Sequence, residues 1–205
     1  MSALWLPARP LLLASGSDTR RALLQAAGIP VEVETPEVDE RALQADAEAA
    51  GRSRDDIARL LAREKALAVS LRRPDRLVLA ADQTLEAPGH PGRKAADRDE
   101  ARRFLALLAG RAHRLHAAFA LAQGGAVRCE GIASARLVMR PLSDAAIDGY
   151  LAAAAGEATG SVGGYRIEEL GVHLFSEVDG EHSTVLGLPM PPLLAAFRRM
   201  GVLAW

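Results

Sequence analysis

Five apolar residues follow one another from Leu77 to Ala81, and the run stops at Asp82. A strand with one wet face alternates apolar and polar side chains. A run without alternation is apolar on both faces, so other elements must cover both. This one feature excludes an exposed two-layer sheet and calls for helices above and below a central strand.

The flanking segments can supply that cover. Pro10 to Ala14 reads as a short buried strand, and Asp18 to Ala27 as a helix closed by Gly28. The stretch IPVEVETPEVDE is expected to be extended and to end in an acidic loop at Glu37, Asp39 and Glu40. Ser53 to Arg73 has the pattern of a long helix, with Ser53 as N-cap and Asp55 and Asp56 in its first turn. Asp97 and Glu100 have capping-box spacing at the head of another helix that ends by Gly110. Two strand-like runs, Arg114–Ala122 and Val127–Arg140, flank the turn pair Gly124-Gly125. A helix capped by Ser143, a glycine-rich stretch from Thr159 to Gly171, the run VHLFSEV and a proline-started helix in GLPMPPLLAAFRRMG complete the chain. The expected fold class is α/β, a mixed β-sheet with flanking helices.

Two hundred and five residues suffice for one domain, or two closely joined lobes, over residues 1–205. The net charge of −1 argues against broad binding of nucleic acid or an anionic membrane. A lone cysteine, Cys129, permits no internal disulfide and fits a reducing compartment. The opening MSALWLPARPLLLASGS lacks a basic start, and prolines and an arginine break its short apolar stretch. No apolar run has the length of a membrane span. A cytoplasmic protein is expected.

Several positions carry chemistry. The strand at Leu11–Ala14 breaks at Ser15-Gly16-Ser17, and Arg20 and Arg21 stand in the first turn of the helix that follows. Two cations near the positive end of a helix dipole are unfavourable unless an anion joins them. The same residues could equally be a simple N-cap with solvated arginines. Of 25 basic residues only Lys65 and Lys94 are lysine, so these positions ask for a compact charge where the chain otherwise uses Arg. Counting from Ile57, Leu60, Leu61, Ala68 and Leu71 form an apolar stripe, with Lys65 at its edge and Glu64 near its middle. That placement fits a helix facing a polar cleft; a lysine there could also reach past the core to water. Asp82 ends the central apolar run, where open α/β sheets place ligand chemistry, and could hold Mg²⁺ or accept a proton from water. It could instead cap the next turn. His113 and His116 are three apart on a strand and should face opposite ways, which argues against a paired metal site.

The motifs in order resemble one family. LLLASGSDTRRALL, EVDE, AREKA (62–66), AADQT (80–84), GRKAADRDEA (92–101), LAGRAH (108–113), GGYRIEELG and TVLGLP together are similar to the Maf proteins, the septum-formation-inhibitor-like nucleotide pyrophosphatases. The resemblance covers nearly the whole chain. It implies two lobes around a cleft, similar to inosine triphosphate pyrophosphatase, and hydrolysis of a nucleoside triphosphate to monophosphate and pyrophosphate. A divalent cation, Mg²⁺ or Mn²⁺, and a homodimer are implied as well. By matching position, phosphate binding falls on Ser15, Ser17 and Arg20, with Arg21 beside it. The acids fall on Glu40 and Asp82, as catalytic groups and metal ligands, and the lysines on Lys65 and Lys94. Thr19 stands where the family often has arginine, Ala95 where it often has proline, and Glu168 where some members have glutamine. Gln83 and Glu168 look more like the subgroup acting on 7-methyl-GTP, and both are expected on the substrate side. The alternative is a nucleotide-binding regulator of cell division or septum formation with little turnover.

Overall fold

The computed structural model describes residues 4–154 and 160–205. Thr159, the first residue of the glycine-rich stretch, and the first three residues of the N-terminal segment lie outside the described residues. The elements are β1 (Leu11–Leu13), α1 (Asp18–Ala26), β2 (Val31–Val33), α2 (Glu40–Ala49), α3 (Arg54–Arg72), β3 (Val78–Glu86), α4 (Arg98–Leu108), β4 (Ala112–Gln123), β5 (Ala126–Met139) and α5 (Asp144–Ala153). A 3₁₀ turn at Leu170–Leu174 leads to β6 (Phe175–Asp179), α6 (His182–Val185) and α7 (Met190–Arg199). The sheet has six strands in the order β2-β1-β3-β4-β5-β6. β1 is parallel to β2 and β3, and β5 is antiparallel to β6, so the sheet is mixed as expected.

The chain forms two compact units. The first comprises Met1–Asp82, Ala117–Ala133 and Gly187–Trp205. Its strands are covered on both faces, as the unbroken apolar run requires. Leu11, Leu13, Leu79, Ala81, Phe119 and Leu121 point one way, into a core closed by Leu24 of α1 and Leu193 and Phe197 of α7. Leu12, Ala14, Val78, Ala80, Ala118, Ala120 and Ala122 point the other way, against Ala58, Ala62, Ala66 and Val69 of α3. Alanine on both sides of this contact lets the long helix lie close to the sheet. Beyond it, Gly124 and Gly125 both have positive φ (63° and 74°) and form the two-residue turn between β4 and β5. The Gly125 N–H donates to Oγ of buried Ser70 at 2.8 Å, which ties that turn to α3.

The second unit comprises Gln83–His116 and Ser134–Leu186. Leu85, Phe104, Leu105, Leu108, Leu115, Leu137, Ile147, Leu151 and Tyr165 form its core. Gly163 belongs to this packing: a β-carbon there would stand 2.2 Å from the Tyr165 ring.

Three sequence expectations change. The acidic segment ends in α2 instead of a loop, because Asp39 caps it by accepting the Ala42 N–H. Glu40 is therefore fixed on the first helical residue. The central strand runs on to Glu86, so Asp82 stands within β3 and not at its carboxyl end. On α3 the buried face is Ile57, Ala58, Leu61, Ala62, Lys65, Ala66, Val69 and Ser70. Leu71 is 68% exposed, and Glu64 is only half-buried. The small alanines set this face, and they bring Lys65 from its edge to its middle.

Candidate active site

Alternation along β3 sets the first part of the geometry. Asp82 shares the even-numbered face with Val78 and Ala80, which is the face α3 covers. Lys65, in the middle of the buried face of α3, meets it there. Its Nζ lies 2.6 Å from Asp82 Oδ1 and 2.7 Å from Glu40 Oε2. Lys65 and Asp82 are buried, whereas the Glu40 side chain is half-exposed. One ammonium thus joins two carboxylates from α2 and β3. Removing one partner from such a buried arrangement would leave an uncompensated charge.

The second part grows from the turn after β1. Ser17 caps α1, its Oγ accepting the Arg20 N–H at 3.3 Å. The buried Ser15 Oγ accepts from the Ser17 N–H at 3.2 Å and from Arg20 Nη1 at 3.3 Å. Arg20 also donates through Nη1 to the Ala81 carbonyl at 2.8 Å and through Nε to the Gly187 carbonyl at 2.9 Å. The guanidinium therefore links the serine turn, the residue preceding Asp82 and the chain entering α7. Burial pushes its pKa below the ordinary arginine value, and the carboxylates of Asp82 and Glu40 oppose that shift. The two arginines of the first turn are thus unlike each other. Arg20 is held by backbone acceptors; Arg21 is exposed and paired with Asp18 at 2.8 Å.

Ser15, Ser17, Arg20, Glu40, Lys65 and Asp82 come together in the first unit. Gln83, Lys94 and Glu168 belong to the second. Gln83 Nε2 donates to the carbonyls of Thr184 and Val185 at 3.1 and 2.9 Å, fastening α6. Lys94 is exposed in the segment before α4. Arg93 braces that segment: it donates to the Lys94 carbonyl at 3.0 Å and pairs with Glu100 at 2.8 Å. Arg93, with the Ala96 N–H, holds the Glu100 carboxyl down at about 2. Glu168 lies in a turn, its carboxylate 3.4 Å from Arg166. The two histidines that alternation sets on opposite faces have different partners, His113 bonding Tyr165 and His116 bonding Ser134 and Glu86. Sequence alone missed the Ala81 and Gly187 carbonyls, since backbone acceptors leave no residue-type signal.

Glu40 and Asp82 converge on one cation with hard oxygen donors, a set that suits Mg²⁺ or Mn²⁺. Among the described residues no group of three or more His, Cys, Asp or Glu side chains could hold a metal. The protein would therefore supply part of the coordination shell, and phosphate and water oxygens the rest.

A strand–turn–helix segment stands beside a buried lysine paired with two carboxylates, on a mixed sheet, and the fold is that of an α/β protein. The sequence model of the Maf-like protein family matches residues 10–200, and the chain belongs to that family. A nucleoside triphosphate pyrophosphatase of Rhodopseudomonas palustris (strain HaA2) is 50% identical over 203 residues, covering 98% of this chain and 99% of the relative. A 7-methyl-GTP pyrophosphatase of Mesorhizobium japonicum is 43% identical over 193 residues, covering 94% and 97%. A solved HAM1 protein from Coxiella burnetii aligns with a TM-score of 0.38 at 19% identity over 63% of this chain and 72% of that one. That likeness is too slight to bear on the fold, which rests on the strand order and pairing.

Proposed function

We propose that the chain hydrolyses a nucleoside triphosphate to the monophosphate and pyrophosphate. The observation that carries this is Lys65, buried between Asp82 and Glu40, in a chain that matches a relative so named at 50% identity along its length. Ser15, Ser17 and the backbone N–H groups at the head of α1 position phosphate oxygens, and Arg20, Arg21, Lys65 and Lys94 balance their charge. Asp82 and Glu40 share two tasks: they hold a divalent cation, and they accept the proton of the water that attacks the α-phosphorus. When bound, the cation withdraws charge from the phosphate oxygens. Pyrophosphate is the leaving group.

Lys94 enters on the family resemblance and on being one of only two lysines. Gln83 and Glu168 are assigned to the base side, and the relative named for 7-methyl-GTP favours a guanine-type base. Residues 1–205 act as one functional domain. The single cysteine supports a cytoplasmic location; among the described residues no helix is long and apolar enough to cross a membrane. A homodimer is proposed on the resemblance, and sedimentation tests it.

The activity is tested by pyrophosphate release from a panel of nucleoside triphosphates, with and without Mg²⁺ or Mn²⁺. Release that requires the cation supports the proposal. No release from any triphosphate at saturating cation contradicts it.

A further inference from the structure

The acidic segment at the head of α2 carries three carboxylates, Glu37, Asp39 and Glu40, and the first unit puts them to three uses. Glu37 is exposed and lies 3.9 Å from Arg72. Glu40 reaches Lys65 Nζ at 2.7 Å. Asp39 turns back on its own chain. Its Oδ1 accepts the Ala42 N–H at 3.0 Å, and its carbonyl accepts the Leu43 N–H at 3.1 Å. An N-cap side chain of this kind satisfies one of the backbone donors that the first turn of a helix leaves open.

The packing of α2 makes this cap consequential. Leu43 and Ala47 share a cluster with Ile57, Leu60 and Leu61 of α3, and Ala47 alone of the helix is buried. Glu40 stands ahead of that packing, on the first helical residue, with its side chain half-exposed. Upstream, Arg72 donates to the Glu34 carboxylate at 3.1 Å and to the Thr35 carbonyl at 3.2 Å, and Arg73 donates to the same carboxylate at 2.8 Å. Between these anchors and Leu43, the aim of the Glu40 side chain depends on the first turn being closed, and Asp39 closes it. If that turn frays, Glu40 loses the fixed backbone from which it reaches Lys65. Lys65 and Asp82 keep their places on α3 and β3.

We propose that Asp39 is the positioning residue of Glu40: by capping α2 it holds this carboxylate on Lys65, in line with Asp82, and takes no direct part in the chemistry. This rests on the hydrolase function proposed above and deepens it. The role is one of hydrogen-bond acceptance, so another capping side chain should serve and the negative charge of Asp39 is not required.

The test compares Asp39→Ala with Asp39→Ser and Asp39→Asn, which keep an oxygen able to accept the Ala42 N–H. The substrate is the triphosphate that the unaltered chain turns over fastest with Mg²⁺. Asp39→Ala should lower kcat about 10-fold with little change in KM, as a misplaced functional group does. Asp39→Ser and Asp39→Asn should stay within about 2-fold of the unaltered chain. Amide exchange at Ala42 and Leu43 should quicken by about 5-fold in Asp39→Ala and hold its rate in Asp39→Ser.

Urea unfolding shows whether Asp39 acts through Glu40. Glu40→Gln should cost about 3-fold in the unfolding equilibrium when Asp39 is present, and close to nothing in the Asp39→Ala background. Three results would overturn the proposal: parental kcat in Asp39→Ala, Asp39→Ser and Asp39→Asn as slow as Asp39→Ala, or equal costs of Glu40→Gln in both backgrounds. The unfolding and exchange measurements need no turnover, so the two levels separate. Coupling of Asp39 to Glu40 without release of pyrophosphate from any triphosphate upholds the positioning role and contradicts the hydrolase. Pyrophosphate release without that coupling does the reverse.

Discussion

Lys65 Nζ stands 2.6 Å from Asp82 Oδ1, and the pair is joined by Glu40 at 2.7 Å from the same nitrogen. Two carboxylates are thus brought together by a cation that belongs to the protein. This relationship fixes what each member does when altered.

Lys65→Met should leave Asp82 buried beside Glu40 without the ammonium that directly pairs them, with Arg20 as the remaining cation acting on both carboxylates. Loss of one partner of a buried pair costs about 3 kcal/mol or more. The half-exposure of Glu40 keeps the figure near the lower end. Urea unfolding at neutral pH should show it as a lower midpoint with an unchanged slope. Lys65→Arg should keep the charge and the fold and still lose at least about 100-fold in kcat, because the planar guanidinium cannot occupy the point between two carboxylates. Turnover by Lys65→Arg at the parental rate would refute the compact-charge role.

Arg20→Ala removes donors to the Ala81 and Gly187 carbonyls and to Ser15. Hydrogen bonds from a charged donor are worth about 1.5–3 kcal/mol each against their unmade state, and not all will be lost in full. A destabilisation of about 2–4 kcal/mol is expected, together with loss of triphosphate affinity in direct titration. Arg20→Lys should restore part of the affinity and little of the stability, since one ammonium cannot span the three acceptors.

Stability should fall in mild acid. His113 is buried, with Nε2 2.6 Å from the Tyr165 hydroxyl, and burial lowers its pKa from 6.5 to about 4, with His90 nearby adding to the effect. Because the folded-state value is depressed, the unfolded chain binds a proton that the folded chain refuses between about pH 6.5 and pH 4. The unfolding free energy therefore declines as pH drops through that window, by about 3 kcal/mol at its foot, and gains nothing from this group above it. Urea midpoints at pH 7 and pH 4.5 for the parent and for His113→Asn measure the effect. The variant should show a shallower decline; equal declines would remove His113 as the cause.

Gln83→Ala should loosen α6, whose Thr184 and Val185 carbonyls accept from the Gln83 amide. Two such bonds contribute about 1–2 kcal/mol locally, so amide exchange across His182–Val185 should quicken by about 10-fold. Unchanged exchange there would show that α6 is held by other contacts.

The parts of this architecture that could be read from the sequence are those written in short-range pattern. The run Leu77–Ala81 announces a strand covered twice, and Ser17, Ser53, Asp97 and Ser143 announce helix starts that the structure keeps. α2 was hidden because ERALQADAEA has almost no apolar stripe, with only Ala47 buried, and its stability comes from alanine propensity and the Asp39 cap. The far half of β3 was hidden because Asp82, Gln83 and Thr84 end the apolar run while the backbone pairing continues. Lys65 and Asp82 could each be singled out, one by its rarity and one by its place after an apolar run. Their contact could not, since it depends on which face of α3 the alanines turn to the sheet. The exposure of Leu71 shows how far a count of large apolar residues alone misplaces that face.

The central claim is that water attacks the α-phosphorus of a nucleoside triphosphate and that pyrophosphate leaves. Single-turnover hydrolysis in heavy-oxygen water, followed by mass spectrometry of the separated products, addresses it directly. The account predicts one heavy oxygen in the nucleoside monophosphate and unlabelled pyrophosphate. Label in pyrophosphate, or formation of nucleoside diphosphate with labelled orthophosphate, would contradict it.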